Sequence, residues 1–261
     1  NDQQEDNQNL LTIKVLQQKK LTDSVTDQSD LLKKTSGKES NYQSALVNTK
    51  KQASEIRGRI YTLLGVSKQI SFGEAVKIAK WAAGLTGLKP AFLLAILTQE
   101  SNLGNNVGTC NRLGDPPSKS WKTVMKPDRD QKPFEEIMAE LGRPVDITPI
   151  SCPMRDKNGG QIGWGGGMGP AQFIPSTWQG YKVAVGNLTG HKPADPWDIR
   201  DAFAAAALFL KNAGADSTPR GEWNAAMRYF SGSTNTRFRF YGDNVLSLTE
   251  KYEKDLAILE E

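Results

Sequence analysis

The chain is organised around LLAILTQESNLGNNVG, residues 93–108, in which an apolar run brings one carboxylate, Glu100, to a loop of small polar residues. Pro90 suits a first helical position, and the apolar residues recur at helical spacing, so the run predicts a buried helix. A carboxylate at the end of such a helix is partly desolvated. Desolvation raises a carboxyl pKa towards the range that a general acid needs near neutrality. The alternative is a solvated glutamate in a last helical turn, because charged side chains usually lie outside.

The composition is that of a globular protein. With 261 residues and 38% hydrophobic content, the chain can hold one large domain, or a medium domain with an appendage. A net charge of +4, from 33 Lys and Arg against 29 Asp and Glu, argues against nucleic-acid binding and is compatible with a weakly anionic polymer. No stretch approaches the roughly eighteen apolar residues of a membrane span, so none is expected. Because the chain opens without an initiator Met or a signal-peptide pattern, we expect a processed or trimmed form.

The two cysteines, Cys110 and Cys152, form no CxxC motif, and His191 is the one histidine. This set argues against a zinc site and against a redox pair, so neither a metal nor a cofactor is expected. The hypothesis is a single structural disulfide, which implies an oxidising compartment. Two buried free thiols are the alternative.

Residues 1–66 predict a separate helical region. They are rich in Gln, Lys, Asp, Ser and Thr, and their apolar residues follow an alternating four-three spacing that is typical of a coiled-coil seam. Ser36 and Glu39 have the spacing of a capping box, which favours a helical hairpin over one long rod. The region can serve as a spacer, as a self-association element or as a site for a partner protein.

Residues 67–261 predict a second, mainly α domain, because no alternating strand pattern appears. A capping box at Ser71 and Glu74 starts a helix that ends near residues 84–87. Further helices are predicted at about 133–141, 198–212 and 223–232, followed by a last helix with apolar residues from 245 to 259. Residues 102–165 hold seven of the thirteen prolines, so a Pro-rich insertion with sparse regular structure is expected at about 104–162.

A glycine-dense segment, GWGGGMGPAQFIPSTW, occupies residues 163–178. Glycines allow close approach of the backbone to a ligand or another helix. Trp164, Phe173, Trp178 and the amide Gln172 lie within it, and such a mixture suits sugars, whose ring faces stack on aromatic side chains while their polar groups need hydrogen-bond partners. The alternative is a flexible turn before a helix.

Three sequence motifs follow one another along the chain: Glu100 with Ser101, then GMGPAQFIP at 167–175, then YFSG at 229–232 with Tyr241 beyond. Together, over about residues 70 to 250, they resemble the soluble lytic transglycosylases with the goose-lysozyme-like fold. That resemblance implies a lysozyme-like helical domain in which Glu100 is the sole catalytic acid/base and Tyr229 is its partner. The position after this tyrosine, usually Asn in the family, is Phe230 here. The substrate-binding residues that the resemblance implies are Ser101, Met168, Gly169, Gln172, Phe173, Tyr229 and Tyr241.

The same resemblance implies a reaction. The enzyme would cut peptidoglycan strands between N-acetylmuramic acid and N-acetylglucosamine, leave 1,6-anhydromuramoyl ends, and act in the periplasmic or extracellular envelope of a bacterium. One alternative is a goose-type muramidase, in which Asp115 or Asp128 holds a water. The other is a non-catalytic scaffold that binds the cell wall. A serine or cysteine nucleophile is disfavoured because His191 is the one histidine available as its base.

Overall fold

A computed structural model of the protein describes residues 19, 22–23, 25–26 and 70–260. By contacts the chain divides into two compact units, one of Asn1–Gly65 with Glu253–Glu261 and one of Val66–Tyr252. The hairpin or coiled coil predicted for residues 1–66 lies outside the described residues, apart from the five near residue 22, so it stays a prediction. The candidate site lies within the Val66–Tyr252 unit.

Helices dominate the described part of the chain, which confirms the mainly α class. The helices are α1 (Phe72–Thr86), α2 (Pro90–Ser101), α3 (Trp121–Val124), α4 (Lys132–Leu141), α5 (Pro175–Thr189), α6 (Ile199–Asn212), α7 (Pro219–Ser231) and α8 (Arg239–Glu260). Two short strands, β1 (Met154–Arg155) and β2 (Gln161–Ile162), pair antiparallel with Met154 opposite Ile162. Strands of two residues are too short to leave an alternating pattern in the sequence.

Local signals set the ends of α1 as predicted. The Ser71 hydroxyl accepts a hydrogen bond from the backbone N–H of Glu74, and the Glu74 carboxylate accepts one from the backbone N–H of Ser71. Gly87, at φ 72°, ends the helix in the left-handed conformation that glycine adopts most readily. Within the described residues no single helix is long and apolar enough to span a membrane, and α1 and α2 reach that length and hydropathy only together, with a bend of 119° between them.

Helix α2 is the centre of the core. Its residues 91–97 are all buried, so the helix is apolar on every side rather than along one stripe. It packs against α1 and α6, and the run of alanines in α6 at 204–207 is fully buried against its neighbours. Asn102, at φ 52°, ends α2 in the left-handed region, so the chain turns away directly after Ser101. This leaves Glu100 in the last turn of a buried helix.

The predicted disulfide between Cys110 and Cys152 is present and closes the Pro-rich insertion. The insertion holds more regular structure than expected: besides the predicted α4 it contains α3, a 3₁₀ turn at Pro117–Lys119, a π turn at Pro127–Gln131 and the β1–β2 hairpin. Several prolines of the insertion stand in first helical turns, where a proline costs no hydrogen bond. The high proline content is therefore compatible with these short helices. Bridges from Cys110 to Ile150 and from Ile150 to Met168 tie the insertion to the glycine-dense segment.

Candidate active site

A cavity of about 580 Å³ opens beside Glu100. The end of α2, the π turn, the end of the insertion, the start of α5 and the ends of α6 and α7 all contribute to its wall. The lining residues are Glu100, Arg129, Gly163, Trp164, Gln172, Phe173, Ile174, Thr177, Phe209, Arg228, Tyr229, Phe230, Ser231 and Gly232. The cavity therefore brings together parts of all three sequence motifs, which are spread over residues 100–232 of the chain.

Glu100 is half-buried, and the pKa of its carboxyl is shifted upwards, the direction expected from the sequence. Burial raises its pKa from the usual 4.5 to about 7, while a hydrogen bond from Tyr241 acts in the opposite sense. A carboxyl with this pKa is present in both protonation states near neutral pH. It can therefore give a proton to a leaving group and take one from a nucleophile, which is the requirement for general acid and base catalysis by one residue.

Two tyrosines flank this carboxyl in different ways. The Tyr241 hydroxyl donates a hydrogen bond to Glu100 Oε1, whereas the Tyr229 hydroxyl donates to the backbone carbonyl of Ala171 at 2.6 Å. Burial, and then the negative charge of Glu100, raise the pKa of both hydroxyls well above 10, so both stay protonated donors. The sequence named Tyr229 as the partner of Glu100. The hydrogen bond to the carboxylate comes from Tyr241, and the role of Tyr229 as a partner of Glu100 stays a prediction.

Phe230 fixes the ring that makes this contact. Its ring stacks on that of Tyr241, with centroids 4.7 Å apart and planes inclined by 17°. Phe238 and Phe240 meet Phe230 edge to face at 5.8 and 5.5 Å. Sequence reasoning noted Phe230 only as a departure from the family pattern. The concentration of aromatic residues between positions 230 and 241 was the available signal for this cluster.

Four of the residues predicted to bind substrate, Ser101, Met168, Gly169 and Tyr241, do not line the cavity, and Tyr241 contacts Glu100 instead. Ser101 is buried, and its hydroxyl donates to the backbone carbonyl of Pro170 at 2.6 Å. Met168 is fully buried. Gly169 has φ 62°, and a Cβ there would lie 1.8 Å from the carbonyl oxygen of Pro196. The Ser101 hydroxyl thus ties the glycine-dense segment to the end of α2, and the contact of these residues with substrate stays a prediction.

Gln172 and Phe173 line the cavity, as the sequence predicted. The Gln172 amide donates to the carbonyl of Gly169 at 2.7 Å, which fixes the side chain that follows the glycine turn. Phe173 meets Tyr229 and Phe209 edge to face, with centroids 5.7 and 5.8 Å apart. These rings form an aromatic wall. Trp178, by contrast, is buried and only packs.

The cavity holds one carboxylate and two guanidinium groups. Glu100 is the only acidic side chain among its lining residues, all of which belong to the described part of the chain, whereas Arg129 and Arg228 supply positive charge. Asp115 and Asp128 are not among the lining residues. Asp115 instead pairs with Lys119 at 3.6 Å. The wall therefore offers one proton donor and two guanidinium groups, but no second carboxylate for a water.

Another group of side chains has the composition of a metal site. His191, Asp198 and Asp201 bring their ligand atoms within 4.8 Å of one another. However, His191 Nδ1 is hydrogen-bonded to Asp201 at 2.9 Å, and Asp198 accepts the backbone N–H groups that begin α6. These hydrogen bonds join the loop at 190–198 to α6, and they account for the close approach of the three side chains. None of the three residues lines the cavity at Glu100.

Comparison with known proteins agrees with the motifs. The sequence model of the family described as "Transglycosylase SLT domain" matches residues 75–236, well over half of the chain. Among solved structures, the soluble lytic transglycosylase SltB1 from Pseudomonas aeruginosa is similar at 13% identity and a TM-score of 0.49, covering 70% of this chain and 77% of that one. The Escherichia coli lytic transglycosylase Slt35 in complex with calcium is similar at 13% identity and a TM-score of 0.44, covering 87% and 91%. No curated protein sequence matches the chain significantly.

Proposed function

Because the chain belongs to the transglycosylase SLT domain family, it is a peptidoglycan lytic transglycosylase, and we propose that Glu100 is its single catalytic acid and base. One observation carries the proposal: the cavity has one carboxyl, half-buried, hydrogen-bonded by Tyr241 and with a pKa of about 7. An ordinary glycosidase uses two carboxyl groups at a defined separation. A site with one carboxyl group therefore needs the substrate to supply the second catalytic group.

The proposed reaction takes that group from the sugar itself. Protonated Glu100 gives its proton to the glycosidic oxygen between N-acetylmuramic acid and N-acetylglucosamine as that bond breaks. The acetamido carbonyl of the muramoyl residue stabilises the positive centre. Glu100 then takes the proton of the 6-hydroxyl, whose oxygen closes a 1,6-anhydro ring on the same residue. No water is consumed, and proximity within one sugar ring replaces a bound nucleophile.

The remaining predicted site residues take two roles in this proposal. Gln172, Phe173 and Tyr229 line the cavity. The amide of Gln172 and the ring of Tyr229 contact the glycan strand, and the buried ring of Phe173 supports that of Tyr229. Ser101, Met168 and Gly169, which are set behind the lining, shape the cleft. Tyr241 orients Glu100 and moderates its pKa.

Replacing Glu100 with glutamine tests the assignment. Purified peptidoglycan should lose turbidity with the wild-type protein and not with Glu100→Gln, while both proteins still sediment with the polymer, because the amide keeps the shape and loses the proton. Full clearing by the variant would contradict the role of Glu100. Wild-type protein that binds peptidoglycan and never cleaves it would favour the scaffold, and reducing muramic ends would favour the muramidase.

The compartment and the amino-terminal region complete the proposal. A disulfide suits an oxidising compartment, and peptidoglycan lies in the bacterial envelope, so we place the protein in the periplasm or outside the cell. Residues 1–66 are proposed as a separate helical hairpin or coiled coil for self-association or for a partner protein. Light scattering of the full chain over a range of concentrations tests self-association.

A further inference from the structure

Trp164 stands apart from the other tryptophans. All six lie in the described part of the chain, and Trp164 is the exposed one, with 46% of its surface accessible. It lines the cavity that contains Glu100. The proposed mechanism makes no use of it. A large aromatic surface that faces solvent inside a ligand cavity, and that stacks on no other ring among the described residues, is a stacking platform for a ligand.

The backbone that follows Trp164 is held tightly against the insertion. The N–H of Gly165 donates to the carbonyl of Val124 at 2.8 Å, and the N–H of Gly166 donates to the carbonyl of Ser151 at 2.9 Å. A Cβ on Gly165 would lie 2.3 Å from the Ser151 oxygen, so only glycine permits this approach. Ser151 directly precedes Cys152 of the disulfide. The disulfide-closed insertion therefore fixes the position from which the indole extends.

A guanidinium in the same cavity wall is also held in place. Arg129 donates to the carboxylate of Asp130 at 2.6 Å, and that carboxylate is fully buried. The second oxygen of Asp130 accepts a hydrogen bond from the Ser176 hydroxyl at 2.7 Å. Arg129 is thus oriented at the cavity while part of its side chain remains exposed for a ligand. An oriented guanidinium suits hydroxyl, acetamido and carboxylate oxygens.

We propose that Trp164 and Arg129 form a sugar-binding subsite that the disulfide-closed insertion adds to the cleft. One N-acetylated pyranose ring of the glycan strand stacks its apolar face on the indole, while its polar oxygens accept hydrogen bonds from Arg129. This rests on the proposed function, because it takes a glycan strand as the ligand. The subsite fixes where along the strand the cleft holds its substrate.

Binding without cleavage gives the first test. A Glu100→Gln protein is titrated with a soluble β-1,4-linked tetramer of N-acetylglucosamine while tryptophan fluorescence is recorded. Stacking on the one exposed indole should change the emission in proportion to binding. Adding Trp164→Phe should remove the emission change, and Trp164→Ala should weaken binding measured by calorimetry about three- to tenfold, as expected for the loss of one stacking contact. Because the side chain is exposed, both variants should unfold at the wild-type temperature.

Cleavage gives the second test. On peptidoglycan, Trp164→Ala should raise KM about three- to tenfold and change kcat less, and Trp164→Phe should recover most of the loss because a ring remains. Leu113→Ala is the matched control: Leu113 is 84% exposed in the same insertion and does not line the cavity. It should behave as wild type in both assays.

The outcomes separate this subsite from the catalytic assignment. Unchanged affinity and KM in Trp164→Ala, with Glu100→Gln inactive, would overturn the subsite and leave the proposed function standing. Weakened binding in Trp164→Ala, together with full activity in Glu100→Gln, would support the subsite and overturn the role of Glu100. Equal losses in Trp164→Ala and Leu113→Ala would also overturn the subsite, because the effect would then be general to the insertion.

Discussion

Replacing Glu100 with glutamine should stabilise the fold at neutral and alkaline pH while it removes activity. Burial raises the pKa of this carboxyl to about 7, whereas in the unfolded chain the carboxyl titrates near its usual value of 4.5. Between these two pH values the unfolded chain has released the proton and the native protein still holds it. The contribution of Glu100 to the free energy of unfolding should therefore fall as pH rises through this window.

The size of the effect follows from the two pKa values. A difference of about 1.4 kcal/mol for each pH unit gives about 3 kcal/mol over the interval from 4.5 to 7. Glutamine carries no charge and its oxygen can still accept the hydrogen bond from Tyr241, so the variant should escape the cost of burying a carboxylate. The stability of Glu100→Gln minus that of the wild type should be small below pH 4.5, grow up to about pH 7, and level off above it.

Chemical unfolding at pH 4.5, 6, 7 and 8.5 measures this difference directly. Because all other titrating groups are common to both proteins, their contributions cancel in the subtraction. The same comparison with Glu135→Gln, an exposed glutamate on α4, corrects for the general effect of exchanging Glu for Gln. A difference between Glu100→Gln and wild type that does not vary with pH, or that shrinks as pH rises, would refute the claim that burial raises the pKa of Glu100.

Three further changes should have defined effects. Tyr241→Phe removes the hydrogen bond that lowers the pKa of Glu100, so the loss of activity at alkaline pH, which follows deprotonation of the acid near pH 7, should move to higher pH in a profile of kcat/KM. Replacing both cysteines of the Cys110–Cys152 disulfide with serine should lower the free energy of unfolding by about 4 kcal/mol under non-reducing conditions, because the closed loop no longer restricts the unfolded chain. Gly169→Ala should cost at least about 1–3 kcal/mol by the same measurement, since the added Cβ meets a carbonyl oxygen and the φ of 62° is unfavourable for alanine.

Each of these three predictions has an outcome that would contradict it. A profile of Tyr241→Phe that moves to lower pH would show that the tyrosine does not favour the ionised form of Glu100. An unchanged unfolding midpoint without the disulfide would mean that the insertion is held by its other contacts alone. Gly180→Ala is the control for the glycine: among the described residues, no atom outside its own stretch of helix backbone lies within 4 Å of its added Cβ. The residue sits inside α5, so the substitution should gain up to about 1 kcal/mol. Equal losses at both glycines would contradict the packing argument.

The parts of the fold that could be predicted from sequence are those specified by local signals. Ser71 with Glu74 forms a complete capping box, and Pro90 starts the apolar helix whose last turn carries Glu100. The expectation that such a carboxyl is partly desolvated depends only on its place at the end of a buried helix. The order of the three motifs along the chain then indicated the family to which the chain belongs.

The parts that could not be predicted depend on contacts between distant segments. Whether Tyr229 or Tyr241 reaches Glu100 is decided by the packing of α7 and α8, and a motif does not specify that packing. Ser101 and Met168 lie beside motif residues that line the cavity, but only the three-dimensional arrangement shows that they point into the core. The four-residue helix α3 is too short for any periodic signal, so it was missed inside the Pro-rich insertion.

The masses of the products formed from purified peptidoglycan test the central claim most directly. A lytic transglycosylase that acts through Glu100 alone forms 1,6-anhydromuramoyl ends, and each such product is one water lighter than the corresponding hydrolysis product. Wild-type protein should yield these lighter products, resistant to borohydride reduction, and Glu100→Gln should yield none. Products with reducing muramic ends, one water heavier and reducible, would contradict the account.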